Sequence, residues 1–297
     1  MIHRSSIPFF HGGLRLAGRL FRSTDRLDIR QPGVIVTGSW LTVKEQMPEV
    51  YATRLAERGY AAFTFDFAGF GESGGDPRQA EIPERKIADL MVATDFLSTL
   101  SFIEPGNLTH LAICASAQYG LAALARGVRV ARFVSVAGWY HDAVTVAPFY
   151  GGPSGVAARL EAARAAAEHY TTTEAVDMVP AYEVGNSTAG MSFELDYYSN
   201  PSRGAVSAWK NRMAMMSWWY WLSFDGLSAA DRVSTPTLFV HGDGCVLPGN
   251  VRSVHQRLRG PKHLVWAGGS QTDFYDQPTQ VGLAVDAVDD FLKGVAR

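Results

Sequence analysis

Two side chains able to act as nucleophiles, Cys114 and Ser116, flank Ala115 where an apolar run, Leu108 to Cys114, gives way to a helix-compatible segment, Ser116 to Arg126. A nucleophile at a helix N-terminus sits where the dipole and free N–H groups favour developing negative charge. A serine in that role needs a base within reach and a group to orient the base. The chain has eight histidines: His3, His11, His110, His141, His169, His241, His255 and His263. His141 follows the strand-like run Arg132 to Ala137, at the carboxyl edge where ligands bind in open α/β sheets. Its neighbours are Trp139, Tyr140 and Asp142. It is either a reacting group or a hinge residue at the entry to the next segment; His169 is a more remote candidate. Trp209, Trp218, Trp219, Tyr220 and Trp221 lie close to Met213, Met215 and Met216. Such residues build large, adaptable apolar surfaces. They form either the wall of a pocket for a bulky apolar or aromatic molecule or a small second core. Candidate substrate contacts are Trp139, Tyr140, Tyr119, Asn211, Trp218 and Trp219, with Tyr197 and Tyr198 as further polar groups.

Composition narrows the class. The chain has 297 residues, 47% of them hydrophobic and 19% charged, with 27 basic and 29 acidic side chains. That excludes a disordered chain, which needs low hydrophobicity and high net charge. A general nucleic-acid binder would be clearly basic, so no nucleic-acid partner is expected. Two cysteines exclude a disulfide scaffold and a Cys-rich zinc module. No metal site has plausible spacing, the glycines form no dinucleotide fingerprint, and no cofactor is expected. The N-terminus lacks a signal peptide's apolar region, and no run of eighteen apolar residues exists, so no membrane partner is expected. The expectation is a cytoplasmic protein with free thiols, acting on a small apolar molecule. A homodimer stays open.

The positioning elements follow from periodicity. Gly13 to Phe21 alternates as a half-exposed strand does. Gly33 to Gly38, Ala61 to Phe67, Leu108 to Cys114 and Arg132 to Ala137 read as strands, the first two buried on both faces. Between them lie helices: one opened by a capping-box pattern at Thr42 to Glu45 and ended at Gly59, one starting at Pro83, and Ser116 to Arg126. Residues 143 to 232 break the alternation with an Ala-rich helix, Val156 to Tyr170, and read as an inserted helical lid. Strands at Pro236 to His241 and Lys262 to Trp266 and a final helix resume it. The fold class is α/β, a mostly parallel sheet with helices on both faces, with residues 1–142 and 233–297 as its core.

The order of four segments resembles the α/β-hydrolase superfamily, closest to the dienelactone-hydrolase and acyl-peptidase-like serine hydrolases. Val34 to Trp40 (VIVTGSW) is similar to the strand and oxyanion loop, and Thr64 to Gly74 (TFDFAGFGESG) to the Asp-x-x-Gly-x-Gly-x-Ser turn. Ala112 to Tyr119 (AICASAQY) is similar to the nucleophile elbow, and Pro236 to Pro248 (PTLFVHGDGCVLP) to the acid-bearing strand and loop. The elbow needs small residues two before and two after its nucleophile. Counting from the strand favours Ser116, although Gln118 stands where glycine is usual. A second register puts Cys114 at the tip, between Ala112 and Ser116, as a thiolate nucleophile. With Ser116 at the tip, the Ala117 N–H and a donor from Ser39 or Trp40 form the oxyanion hole. The superfamily's acid position falls on Cys245, leaving Asp243 or Asp142 as the acid. Its histidine position falls on Gln271, which cannot act as a general base near neutral pH.

The resemblance therefore implies an enzyme acting on a bulky apolar or aromatic ester, thioester or lactone through a serine nucleophile, with Ser116, Asp243, Gln271 and His141 as catalytic candidates. The missing histidine opens two alternatives. One is a non-hydrolytic cyclase, isomerase, lyase or transferase of secondary metabolism. The other is a ligand-binding homologue without catalysis.

Overall fold

The computed structural model describes residues 1–294. Its strands are β1 (His3–His11), β2 (Leu14–Arg22), β3 (Gln31–Thr37), β4 (Ala61–Phe65), β5 (Ile103–Ile113), β6 (Arg132–Val136), β7 (Met178–Val179), β8 (Met213–Ala214), β9 (Thr237–His241) and β10 (Lys262–Trp266). The helices are α1 (Met47–Glu57), α2 (Pro83–Ser98), α3 (Ser116–Ala125), α4 (Ala143–Val146), α5 (Gly152–Thr173), α6 (Asp196–Ser199), α7 (Ser217–Ser223), α8 (Pro248–Arg257), α9 (Asp273–Asp276) and α10 (Pro278–Leu292). Eight strands form one sheet in the order β1-β2-β4-β3-β5-β6-β9-β10. From β4 to β10 neighbouring strands run parallel; β1 and β2 form an antiparallel edge.

Burial explains the strand sequences. β4 is buried along its whole length and β3 nearly so. A parallel strand covered by helices on both faces needs apolar residues at consecutive positions, not only at alternate ones. β1 escaped the sequence reading because its other face meets solvent and its residues are mostly polar. The capping box read at Thr42 to Glu45 does not form. Helix α1 starts at Met47 after Gln46, and the Thr42 hydroxyl instead donates to Ser39 O at 2.7 Å. Residues 143–232 lie between β6 and β9 and carry α4 to α7 and the small β7–β8 pair.

Register brings the chemistry together. Thr37 on β3 pairs with Ala112 on β5, and Ile113 with Val136 on β6. The loop after β3, the turn after β5 and the chain leaving β6 therefore emerge side by side at the carboxyl edge. Ion pairs centred on the buried Lys44 and Asp66 hold the first of these loops. Lys44 Nζ lies 2.7 Å from Asp66 Oδ2, 2.7 Å from Glu45 and 2.6 Å from Glu72. The Lys44 N–H also donates to Asp66 Oδ1 at 2.9 Å. Burial pushes the Asp66 carboxyl upward, and Lys44 pulls against it.

Removing one partner of a buried pair leaves the other uncompensated, which costs about 3–5 kcal/mol. Lys44→Met should lower the urea unfolding free energy by about that amount. Lys44→Met combined with Asp66→Asn should lose less than Lys44→Met alone. Equal losses would mean that Lys44 acts through its packing and not its charge.

Candidate active site

The turn between β5 and α3 is centred on Cys114. This residue has φ 57°, left-handed and rare for a side chain with a Cβ. Three backbone bonds hold it there. Cys114 N–H donates to Val136 O at 3.1 Å, and Cys114 O accepts from Ala117 N at 3.0 Å and Trp139 N at 2.9 Å. Ser116 is the buckle of the turn. Its Oγ accepts the Ile113 N–H at 3.1 Å and lies 3.1 Å from the carbonyl oxygens of Thr37 and Ile113. The side chain expected to carry the chemistry is therefore spent on joining β5 to β3. The residue presented by the strained turn is the thiol two positions earlier.

A narrow, partly open cavity of about 60 Å³ adjoins Cys114, walled by Trp40, Trp139, Tyr150, Met191, Leu195 and Trp221. Ser39, Gln271 and Tyr275 line the same cavity as Cys114. Their polar groups and the Ala115 N–H pull the thiol's pKa down. The three side chains are linked to one another. Tyr198 OH donates to Ser39 Oγ at 3.2 Å, Ser39 Oγ lies 3.3 Å from Tyr275 OH, and Gln271 Nε2 donates to Tyr275 OH at 3.1 Å. Gln271 is fixed at both ends of its amide. Nε2 donates to Ala137 O at 2.8 Å, and Oε1 accepts from Val246 N at 3.1 Å.

The site is buried and carries no charge of its own. Burial raises the Cys114 thiol above its usual range, outweighing the neighbouring donors that pull it down. Burial likewise pushes Cys245 up to about 12. No histidine lines the cavity among the described residues. His141 lies behind its wall: its Nδ1 accepts from Trp139 Nε1 at 2.6 Å, and its Nε2–H donates to Trp221 O at 2.8 Å. It is buried and neutral, with its pKa lowered to about 4 by burial. His141 thus braces two aromatic walls and has neither ring nitrogen free to take a proton.

Other expected residues separate cleanly. Asp243 is 77% exposed and pairs with Arg252 at 3.2 Å, away from the thiol. Asp142 caps α4 through Val144 N and Thr145 N. The Ala117 N–H, expected as an oxyanion donor, is taken by Cys114 O; the residue following the turn's tip is Ala115. Ser39 and Trp40 do line the cavity, as do Trp139 and Gln271. Tyr119 donates its hydroxyl to Glu81 at 2.7 Å. Tyr140 is buried beneath the sheet edge, packed on Phe239. Asn211 holds the backbone of Tyr182 through both ends of its amide. Trp218 faces a separate groove, Trp219 is 51% exposed, and Trp221 reaches the thiol cavity in their place. The sequence reading missed Tyr275 and Tyr150. Tyr275 lies four residues after Gln271, one helical turn on, the only local signal that it could share the site.

Trp40 adds a further group. Its indole Nε1–H is buried and has no acceptor among the described residues. A buried donor left unpaired is uncommon and invites a ligand or water.

No protein-family model matches the chain. An uncharacterized protein of Pseudomonas aeruginosa is 32% identical over 143 residues, 45% of this chain and 38% of that protein's length. Its crystal structure superposes with a TM-score of 0.83 at 24% identity, covering 99% and 94% of the two chains. A polyketide transferase of Penicillium crustosum is 32% identical over 119 residues, 39% of each chain. The matched stretch thus spans about two fifths of each of these two relatives. An acyltransferase of Aspergillus calidoustus is 24% identical over 271 residues, 87% of this chain and 83% of that one. The α/β hydrolase GrgF of Penicillium has a TM-score of 0.83 at 22% identity, covering 98% of each chain. The chain has the α/β-hydrolase fold.

The buried histidines make stability depend on pH. Burial lowers His141 and His241 to about 4 and His110 to about 3, while an unfolded histidine titrates near 6.5. Below pH 6.5 the unfolded chain takes up protons that the folded chain refuses, so these groups stabilise the fold fully above that pH and progressively less below it. Each should contribute a loss of up to about 1.4 kcal/mol per pH unit between roughly pH 6 and 4. Urea unfolding followed by tryptophan fluorescence at pH 7, 6 and 5 should show the midpoint falling. A midpoint that rises towards pH 5 would contradict neutral burial.

Proposed function

We propose that the protein is an acyl-transferring enzyme. Cys114 accepts an acyl group from a thioester or activated ester and passes it to an acceptor other than water. One observation carries this reading: the left-handed turn presents a thiol to a narrow, largely apolar cavity, with an amide, Gln271, where a general base would stand. The Cys114 sulfur attacks the donor carbonyl, and the donor's C–S or C–O bond breaks. The thiol proton passes through the hydroxyls of Tyr275 and Ser39 to the leaving sulfur or oxygen. The acceptor then attacks the acyl-cysteine in the same sense, returning the thiol. The Ala115 N–H and an amide of the Ser39–Trp40 loop are suited to the oxyanion. Thiol–thioester exchange suits this site because donor and acceptor are both sulfur and no net proton is lost. Hydrolysis suits it poorly, because no group can deprotonate water there. The polyketide transferase and the acyltransferase among the relatives are consistent with transfer.

A second reading is ligand binding without turnover. It is favoured by the neutrality of the site: burial raises both thiols, and Gln271 carries no charge. Incubation with acetyl-N-acetylcysteamine and intact-mass measurement separates the two. Transfer requires a single acetyl adduct on Cys114 that disappears in Cys114→Ala and persists in Ser116→Ala. No adduct on folded protein, with ligand still bound, establishes the second reading.

The raised thiol sets the pH dependence. The thiolate is the minority form at neutral pH, so alkylation of Cys114 by iodoacetamide should rise about tenfold per pH unit from pH 7 to 9, without a plateau. A plateau below pH 8 would show an activated thiolate. Restoring the missing groups should redirect the acyl-enzyme to water: Gln271→His with Cys245→Asp should raise its hydrolysis by at least about a hundredfold. Unchanged hydrolysis in a folded double variant would show that Gln271 does not stand where a base can act.

A further inference from the structure

The cavity at Cys114, about 60 Å³, has space for only about two waters at about 30 Å³ each. It cannot hold the body of a bulky acyl group. A larger space lies one side chain away. An open groove of about 540 Å³ runs between the start of α5 and residues 179–192, over Val179, Met215 and Trp218. That volume falls in the roughly 300–1,000 Å³ range of small-molecule sites. Gly155, Ala158 and Ala162 face the groove from α5. Their spacing places them on one side of the helix, and their small size keeps the groove open. No acidic residue lines it among the described residues. One cation does: the Arg159 guanidinium lies 5.1 Å from the Trp218 ring and 5.3 Å from that of Tyr150.

Tyr150 borders both the groove and the thiol cavity. Its ring packs edge-on against Trp218 at 4.8 Å, and its hydroxyl accepts from Trp221 Nε1 at 3.0 Å. Directly after it come Gly151 and Gly152, both left-handed at φ 84° and 69°. Glycine adopts such conformations freely, so the backbone beside Tyr150 can turn at little cost.

We infer that this groove binds the body of the acyl donor, an elongated apolar acyl chain, and that Tyr150 is the movable wall through which its carbonyl reaches Cys114. The inference rests on the acyl-transfer reading for the step at the thiol, but not for binding. Phe149, Val179, Met215 and Trp218 give the groove an apolar side that fits a hydrocarbon chain, with Ser187, Thr188 and Ser192 along its rim. The guanidinium with no carboxylate beside it disfavours a cationic chain. Small α5 side chains and a shared aromatic wall are what a chain-length filter would need.

The test compares decanoyl- and acetyl-N-acetylcysteamine. Ala158→Leu and Ala162→Leu fill the groove from the solvent side of α5. Each should lower the ratio of decanoyl to acetyl adduct on Cys114 by at least about tenfold. Tyr150→Ala joins the two spaces and should raise that ratio, whereas Tyr150→Phe, which keeps the wall, should not. Glu161→Ala, exposed on α5 and outside the groove, is the control. Binding is measured separately by calorimetry of decanoyl-N-acetylcysteamine with Cys114→Ala protein, where no transfer can occur. Binding weakened by Ala158→Leu or Ala162→Leu supports the groove even if the wild-type protein forms no adduct; in that case it is acyl transfer that fails. Acetyl and decanoyl adducts whose ratio neither substitution alters, with binding equally unaffected, would overturn the groove and leave acyl transfer standing.

Discussion

The left-handed backbone at Cys114 is the constraint on which the site depends. Holding a residue with a Cβ there costs on the order of 1–3 kcal/mol, so the surroundings must enforce it. They do so from three directions. β6 receives the Cys114 N–H, the start of α3 and Trp139 bond to its carbonyl, and the Ser116 hydroxyl locks the strand end beneath it. Close packing completes the enforcement: a Cβ on Gly138 would lie 2.2 Å from Ser135 Oγ and 3.0 Å from the Ala117 Cβ. The same contacts that strain the turn also aim its sulfur into the cavity.

Charge is kept off the sulfur and placed around the loops that frame it. Leu41, just past the Ser39–Trp40 pair, is also left-handed, at φ 60°, and its N–H donates to Glu81 at 3.2 Å. Glu81 is buried, and it takes the Lys86 ammonium at 2.8 Å and the Tyr119 hydroxyl at 2.7 Å. Burial pulls Lys86 downward, against the carboxylate that holds its proton. One carboxylate thereby ties the loop after β3 to α2 and α3. Its ionic partner lies beneath the rings of Phe67 and Phe70, at 4.8 and 4.6 Å, which add cation–π attraction. The framework is ionic, whereas the pocket at Cys114 is aromatic and neutral.

The parallel core was readable because strands buried on both faces leave continuous apolar runs. The same physics hid β1, whose mostly polar edge carries no such run. Within the site, the loop after β10 was legible by spacing, and Gln271 does face the thiol. The choice between Cys114 and Ser116 was harder, since both are small and two residues apart, so strand alternation treats them alike. The deciding signal was Gln118. Its bulk does not suit the position two after the tip, whereas Ala112 and Ser116 suit a tip at Cys114. The tryptophans could not be sorted from sequence. On a helix as short as α7, Trp218 and Trp221 turn inward while Trp219 and Tyr220 turn out, and only the docked rotation of the helix settles which.

Burial of the thiol also bears on how the protein meets oxidants. Peroxides attack cysteine mainly as the exposed thiolate, on a ladder whose later steps are irreversible. A sulfur walled by Trp40, Trp139 and Trp221 and kept protonated by its surroundings is a slow target for them. A histidine partner would ionise the sulfur and leave it open to such damage. Without one, resistance to oxidation comes from the same walls that keep the thiol protonated.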